Sequence, residues 1–271
     1  MTFRLMFAGA AALLAAALQP AIAAAPQCRG TIYLTFDTGS QSQAALIADT
    51  LRRHNAKATF FLANEKTVRG DWSLDPSWAA FWQARVAEGH AFGSHTFDHV
   101  YYVKDATSDG IVVRPQFGDA AGRQATWSAA RFCDEIGRVD QRFMELTGRH
   151  LDPLWRAPGG KTSPRTLAAA QGCGYAHVGW SPAGFSGDEL SSARYPNALL
   201  LKQSLAKLKD GDIFMAHMGI WSRQDPWAPA NLEPLLSGLE RKGFCFATLR
   251  DHPGYSAKMP KNNKVPENRL K

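Results

Sequence analysis

Short apolar runs alternate with longer amphipathic segments along most of the chain. The runs are rich in β-branched and aromatic residues, which is typical of buried strands, and the amphipathic segments carry apolar residues at helical spacing. The predicted strands cover residues 31–36, 57–63, 90–94, 154–156, 176–180, 212–217 and 243–249. The predicted helices cover residues 43–54, 78–88, 127–147, 163–171, 199–208 and 231–242.

This alternation predicts a parallel sheet whose crossover connections are helices. No internal repeat interrupts it, and a chain of 271 residues that is 45% hydrophobic can bury one large core. We therefore predict a single-domain α/β fold of the (β/α)-barrel type. Residues 101–126 depart from the pattern, because they are rich in Gly and Asp and have no clear period. They are predicted to form an irregular loop that is either functional or disordered.

Both ends of the chain are predicted to lie outside the folded domain, which is assigned to residues 28–251. Arg4, an Ala/Leu-rich run and the small residues Ala21 and Ala23 form the pattern of a secretory signal peptide over residues 1–23. That run is too short to span a membrane, and no transmembrane segment is expected after its removal. Residues 252–271 are predicted to be a disordered basic tail. The mature protein is therefore expected to be periplasmic or secreted.

Four cysteines, Cys28, Cys133, Cys173 and Cys245, follow the predicted signal peptide. In an exported protein an even number of cysteines suggests disulfides, and three connectivities are possible. The first and last strands of a closed barrel are neighbours, which favours the pairs Cys28–Cys245 and Cys133–Cys173. Four buried free thiols remain the alternative. No CxxC spacing is present, so a cysteine zinc site is not indicated.

The chain carries 31 basic and 24 acidic residues, for a formal net charge of +7. Much of the basic excess lies in the predicted tail. No basic helix interleaved with aromatic residues is present, so the sequence gives no indication of nucleic-acid binding.

Side chains with catalytic chemistry follow several of the predicted strands. Asp37 follows the first strand, Arg156 ends the strand at 154–156, and His217 ends the strand at 212–217. Reactive side chains of α/β barrels gather at the carboxyl ends of the strands. Each of the three also has a structural alternative: a turn or helix cap for the aspartate, a surface ion pair for the arginine, and a packing role for the histidine.

His95 and His99 follow the predicted third strand. Histidines at positions i and i+4 lie on one face of a helical turn, the spacing at which two imidazoles can bind one metal ion. A divalent metal with open positions can polarise a carbonyl and lower the pKa of bound water. Two ordinary histidines that pack at a strand–helix junction are the alternative.

In their order along the chain, the motifs around these residues resemble those of the polysaccharide deacetylase family, which is the NodB-homology domain or carbohydrate esterase family 4. The resemblance extends from residue 31 to residue 249. The motifs are Thr-Phe-Asp-Thr-Gly at 35–39, Ser-His-Thr-Phe-Asp-His at 94–99, Arg-Ala-Pro-Gly at 156–159 and Gly-Asp-Ile-Phe-Met-Ala-His at 211–217. The resemblance implies a distorted (β/α) barrel of the NodB-homology type and a divalent metal, with zinc expected. It implies removal of acetyl groups from an N-acetylated polysaccharide or oligosaccharide.

The resemblance also implies residue roles. Asp37 would be the general base that deprotonates the attacking water, and Arg156 would orient it. His95 and His99 would be metal ligands. His217 would protonate the departing amine.

Substrate contacts are expected from Tyr101, Pro158 and Trp180. The two aromatic rings could stack on sugar rings, although a buried core position is the commoner role of an aromatic residue.

Two positions depart from the family pattern. Thr38 stands where the family has an aspartate ligand, and a neutral hydroxyl binds a divalent cation less well than a carboxylate, unless Asp37 or an inserted residue takes over. The family's D-x-x-D-W segment is missing after residue 182, so the aspartate expected to tune His217 is absent. Asp188 lies close in sequence and is a possible substitute.

Three functions are therefore open. The first is an exported, metal-dependent hydrolase of amide bonds, a polysaccharide deacetylase acting on peptidoglycan, a chitin-like chain or an exopolysaccharide. The second is a catalytically silent relative that binds glycan, and the third is an O-acetyl esterase or a small-molecule amidohydrolase. Retention of Asp37 and His217 favours activity, because a binding module needs no general base paired with a general acid.

Overall fold

The structure, a computed structural model, describes residues 28–259, and in this range strands alternate with helices. The strands are β1 Gly30–Asp37, β2 Ala58–Leu62, β3 Ala91–Ser94, β4 Val100–Asp105, β5 Ile111–Pro115, β6 Ala125–Trp127, β7 Leu154–Trp155, β8 Ala176–His177, β9 Ile213–His217 and β10 Phe244–Phe246. The α-helices are α1 Ala44–Arg53, α2 Ala79–Ala87, α3 Ala129–Thr147, α4 Pro164–Gly172, α5 Asn197–Lys207 and α6 Trp227–Arg241.

The main sheet is parallel and seven-stranded, in the order β10-β1-β2-β3-β7-β8, with β9 also paired to β1. Strand β1 is its centre, since its first residues pair with β10 and its later ones with β2 and β9. Ile32, Leu34 and Phe36 are fully buried in the main core cluster, which accounts for the apolar character of this strand. The register sets Asp37 opposite His217 at the carboxyl edge of the sheet.

The sheet curls into a barrel that is closed irregularly. Between β8 and β9 an extended segment takes the place of a regular strand. Its Ser181 amide donates to the Ile213 carbonyl at 3.0 Å, and Phe185 forms an isolated parallel bridge with Met215. The predicted distorted (β/α) barrel of one domain is confirmed.

The prediction of an irregular loop over residues 101–126 was wrong. Strands β4, β5 and β6 form a separate antiparallel sheet of three strands in this region. Val100, Ile111 and Val113 are buried against Phe132 and Ile136 of α3. Because these strands are only three to six residues long, their pattern is too brief to give a periodic signal.

Helix α6 begins at Trp227, one turn before the predicted start at residue 231. Pro226 directly precedes the helix, and Pro229 lies in its first turn. Proline is tolerated in the first turn of a helix, because the amide hydrogens of that turn have no partner within the helix.

The folded region extends past the predicted domain boundary at residue 251. The His252 ring lies 4.6 Å from the Tyr33 ring, and Tyr255 and Met259 pack against the cluster that contains Leu249. Residues 252–259 are therefore packed on the domain and are not the disordered tail predicted for them. The predicted signal peptide and the rest of the predicted tail lie outside the described residues. Among the helices of residues 28–259, none combines the length and apolarity needed to cross a membrane.

Both favoured disulfides are present, and the described residues include no free cysteine. Cys28–Cys245 joins the segment before β1 to β10 with a Cα–Cα distance of 5.6 Å. Cys133–Cys173 joins α3 to the end of α4 with a Cα–Cα distance of 6.1 Å. The first bridge links the start of the domain to its last strand, as expected for neighbouring strands of a closed barrel.

Candidate active site

The carboxyl ends of the strands open into a cavity of about 570 Å³. Asp37, His95, His99 and His217 all line it. Arg156 lies directly behind Asp37 and is fully buried. The sheet thus brings together all five of the residues to which the sequence assigned catalytic or metal-binding roles.

Asp37 and Arg156 form a buried ion pair. The Nη1 atom of Arg156 donates to Oδ1 of Asp37 at 2.7 Å. The Nε and Nη2 atoms of the same guanidinium donate to the carbonyls of Val178 and Gly179. The guanidinium also lies 4.2 Å from the centre of the Phe61 ring, so it is fixed on several sides. Burial by itself would raise the pKa of Asp37, but the neighbouring cation more than offsets this effect and the pKa is lowered. Asp37 is therefore an oriented carboxylate at neutral pH.

His95 is held in a single orientation. Its Nδ1–H donates to the backbone carbonyl of Arg156 at 3.0 Å, which leaves the lone pair on Nε2. Nε2 lies 3.7 Å from Oδ2 of Asp37. Burial lowers the pKa of His95 to about 3, so the ring is neutral at physiological pH. A neutral imidazole fixed through its other nitrogen is the form that binds metal ions.

His95 and His99 are brought together by a tight turn. The helical turn that their spacing predicted is not present, so that interpretation was wrong. Thr96 and His99 have left-handed backbone angles, with φ of 62° and 48°. The turn is held by the Asp98 amide, which donates to Oε1 of the buried Glu135 at 2.6 Å. The rings of His95 and His99 are 4.9 Å apart, and Nδ1 of His99 is buried without a hydrogen-bond partner.

His217 is paired with Asp188, which the sequence offered only as a possible substitute. Nδ1 of His217 lies 3.0 Å from Oδ1 of Asp188, and the His217 amide donates to Oδ2 at 2.6 Å. Burial alone would lower the pKa of His217, but the charge of Asp188 and its hydrogen bond raise it to about 10. His217 is therefore protonated at neutral pH, as a general acid must be.

Thr38 does not face the cavity. Its side chain is fully buried, its hydroxyl donates to Oε1 of Glu65 at 2.6 Å, and it accepts from the Ala63 amide at 3.0 Å. Glu65 does line the cavity. The sequence did not single it out, because it lies three residues beyond the end of β2 among polar residues, whereas Asp37 ends its strand and His95 follows its strand directly.

Two of the three residues expected to contact the substrate line the cavity. Tyr101 and Trp180 line the cavity, and the Tyr101 ring lies 5.0 Å from that of His99. Pro158 is buried and does not line the cavity, whereas its neighbours Ala157 and Gly159 do, so the structure gives no support to its predicted substrate contact. Trp221 also lines the cavity and is 61% exposed, although no motif in the sequence pointed to it.

The imidazole nitrogens and carboxylate oxygens of the cavity are donor types that suit a divalent cation. The imidazole of His95 lies beside the ionised carboxylate of Asp37, and Nδ1 of the neighbouring His99 ring has no hydrogen-bond partner among the described residues. Imidazole nitrogens with carboxylate oxygens are ligands that zinc and similar metals accept. Across residues 28–259, no three His, Cys, Asp or Glu side chains are already converged into a group that could hold a metal.

The sequence matches a family model. The model of the polysaccharide deacetylase family matches residues 24–178. The chain is 26% identical over 220 residues to the peptidoglycan-N-acetylglucosamine deacetylase PgdA of Listeria monocytogenes, with 80% of this chain and 38% of that protein covered. It is 26% identical over 233 residues to a chitooligosaccharide deacetylase of Azorhizobium caulinodans, with 82% of this chain and 94% of that protein covered.

Solved structures share the fold. A family 4 acetyl xylan esterase from Clostridium thermocellum, in complex with a cobalt ion, superposes with a TM-score of 0.62 and 21% sequence identity. The superposition covers 85% of this chain and 93% of that one. At this identity the likeness establishes the architecture and carries no statement about substrate.

Proposed function

The chain belongs to the polysaccharide deacetylase family, and from this membership we propose that it is an exported, metal-dependent deacetylase. Its substrate would be a sugar polymer that carries N-acetyl groups, such as peptidoglycan, a chitin-like chain or an exopolysaccharide. The observation that carries the proposal is the pairing of a carboxylate, Asp37, with a protonated imidazole, His217, in one cavity. An amide hydrolase needs both, whereas a glycan-binding relative needs neither.

In the proposed reaction the oxygen of a water molecule attacks the acetyl carbonyl carbon. Asp37 accepts the proton of that water, and Arg156 keeps the carboxylate ionised and aimed. The carbon–nitrogen bond then breaks, and His217 gives its proton to the departing nitrogen. The products are acetate and a free amine on the sugar.

A divalent cation, for which we propose zinc, supplies Lewis acidity for the acetyl carbonyl and the attacking water when it is bound. His95 and His99 would hold it. The hydrogen bond from His95 to the Arg156 carbonyl couples the metal side of the cavity to the residue that orients the base.

The state of His217 favours amides over esters. An amine leaves only after its nitrogen is protonated, whereas an alcohol is a better leaving group and depends less on an acid. A histidine with a pKa of about 10 stays protonated across the physiological range. This supports N-deacetylation over O-deacetylation as the main activity.

The open cavity and its aromatic residues support a sugar substrate. Tyr101, Trp180 and the exposed Trp221 lie around the catalytic residues and offer apolar ring faces to sugar rings. The two disulfides support an oxidising compartment, in agreement with the proposed signal peptide over residues 1–23.

The test is a comparison of substrates. Acetate release would be measured with chitooligosaccharides, peptidoglycan and acetylated xylan, with the Asp37→Asn variant as the inactive control. We expect release from an N-acetylated substrate and none from the variant. Release from acetylated xylan alone would replace the proposal with an O-acetyl esterase, and release from none of them would contradict it.

A further inference from the structure

Glu65 occupies an unusual position for a glutamate. It lies three residues after the end of β2, is only 7% exposed and lines the same cavity as His95 and His99. Its Oε1 accepts the Thr38 hydroxyl at 2.6 Å, and its amide donates to the Ser73 hydroxyl at 3.0 Å. Hydrogen bonds thus fix the backbone amide and the Oε1 atom of Glu65, and the residue lines the cavity.

Within the part of the chain that the structure describes, the charge of Glu65 has no ionic partner. Among residues 28–259, no lysine, arginine or histidine forms an ion pair with it. Burial of a carboxylate without a compensating cation is strongly unfavourable. The nearby carboxylate of Asp37 differs in this respect, because Arg156 neutralises it. Glu189 also lines the cavity without an ion pair, but it is exposed to solvent, so among the described residues Glu65 is the buried carboxylate of the cavity that lacks a counter-charge.

A second, independent observation points to a ligand in the same place. His99 is only 9% exposed, lines the cavity and leaves its Nδ1 without a hydrogen-bond partner. Its ring lies beside that of His95, whose Nε2 makes no hydrogen bond to any of the described residues. Two nitrogen donors and an unneutralised carboxylate thus line one cavity.

We propose that Glu65 is the carboxylate ligand of the cation site, with His95 and His99 as the nitrogen ligands. Two histidines and one glutamate form a known ligand set of catalytic zinc sites. Thr38 would be a positioning residue, whose hydroxyl orients the Glu65 carboxylate. This assignment rests on the metal dependence of the proposed function, and it leaves Asp37 free to act as the base.

The assignment also accounts for the neutral residue at position 38. A carboxylate at position 38 would lie against the carboxylate of Glu65, so only one of the two positions can carry the charge. Glutamate is longer than aspartate by one methylene group, which gives it more reach from the end of β2. Since no group of three such side chains is converged among the described residues, we expect the two histidine rings to move towards Glu65 when the cation binds, while Thr38 keeps its hydrogen bond to Oε1.

The test is a metal titration of the purified chain after its metal has been removed. Zinc affinity would be measured by competition with a chromophoric chelator for the unaltered protein, Glu65→Gln and Glu189→Gln. Glu189 is a matched control, because it lines the same cavity but is exposed. Loss of a partner behind a ligand weakens metal binding by about 10- to 100-fold, so for Glu65→Gln we expect a loss of about 100-fold or more. Glu189→Gln should bind as the unaltered protein does, and equal affinity of the two variants would overturn the proposal.

Thr38→Val provides a second route if Glu65→Gln does not fold, as judged by thermal unfolding. Removal of the orienting hydroxyl should weaken zinc binding by about 10-fold, and unchanged affinity would contradict the positioning role. Acetate release is measured in a separate assay, so the ligand assignment of Glu65 and the proposed deacetylase function can be refuted independently. An active chain whose Glu65→Gln variant keeps its zinc affinity contradicts only the ligand assignment. An inactive chain that binds zinc through Glu65 contradicts only the deacetylase.

Discussion

Replacement of Asp188 by asparagine tests the acid side of the proposed reaction. Asp188 contacts both the ring and the amide of His217 and is 3% exposed. Asparagine keeps the size of the side chain and one oxygen acceptor, but it removes the charge. Without that charge, burial is the main remaining influence, and it lowers the pKa of His217.

The size of the effect follows from the two pKa values. In the native protein the pKa of His217 is raised from 6.5 to about 10, so about 99% of the ring is protonated at pH 8. A variant with a pKa near 6.5 would keep only about 3% protonated at that pH. Because His217 acts as an acid, activity is present below its pKa and lost as the pH rises through it. We therefore expect Asp188→Asn to lose about 30-fold in rate at pH 8 and much less at pH 6.

The assay is the pH profile of kcat/KM for acetate release between pH 5 and pH 10. The high-pH limb of the profile should move from near pH 10 to pH 6.5 or below in the variant. Glu189→Gln is the control, because Glu189 is exposed and makes no hydrogen bond to His217, and its profile should move far less. A uniform loss of activity at every pH would show that Asp188 is only structural, and an unchanged profile would remove His217 from the acid role.

Three further predictions concern the buried carboxylates and the disulfides. Asp37→Asn should abolish acetate release. It should also lower the free energy of unfolding by about 3–5 kcal/mol, because it leaves the buried Arg156 without its counter-charge. Chemical denaturation measures this loss, and unaltered stability would contradict the ion pair. Thr38→Asp should lower the unfolding temperature, since it sets a carboxylate against Glu65. In the double variant with Glu65→Gln, the unfolding temperature should be restored. If the effects of the two substitutions on the unfolding temperature are simply additive, the contact is contradicted. Reduction of the disulfides should destabilise the fold, by about 5 kcal/mol for the bridge that spans 217 residues and about 4 kcal/mol for the one that spans 40. The single variants Cys28→Ser and Cys133→Ser separate the two bridges, and denaturation midpoints that do not change would refute the estimate.

The positions of Asp37, Arg156 and His217 could be predicted from the sequence because one rule covers them. Each follows a short apolar run, and parallel strands deliver their carboxyl ends to one edge of the sheet. The same rule applies to Glu65, but a run of polar residues after β2 looked like an ordinary loop. Its importance depends on the absence of a counter-charge, which only the packed structure reveals.

Other features depend on contacts between residues that are distant in sequence. The partnership of Asp188 with His217 spans an irregular segment that has no periodic pattern. The meeting of His95 with His99 results from left-handed backbone angles, and no helical spacing is involved. The small antiparallel sheet that includes β4 packs against α3, β7 and α4, which are distant in sequence, and its strands are too short to give a periodic signal of their own.

The most direct test of the central claim is acetate release from an N-acetylated chitooligosaccharide, measured together with the zinc content of the purified chain. The account predicts that release rises in proportion to bound zinc up to one ion per chain, stops when a chelator removes the ion and returns when zinc is added back. Release that is indifferent to the chelator, or no release from the zinc-loaded chain with any N-acetylated glycan, would contradict it.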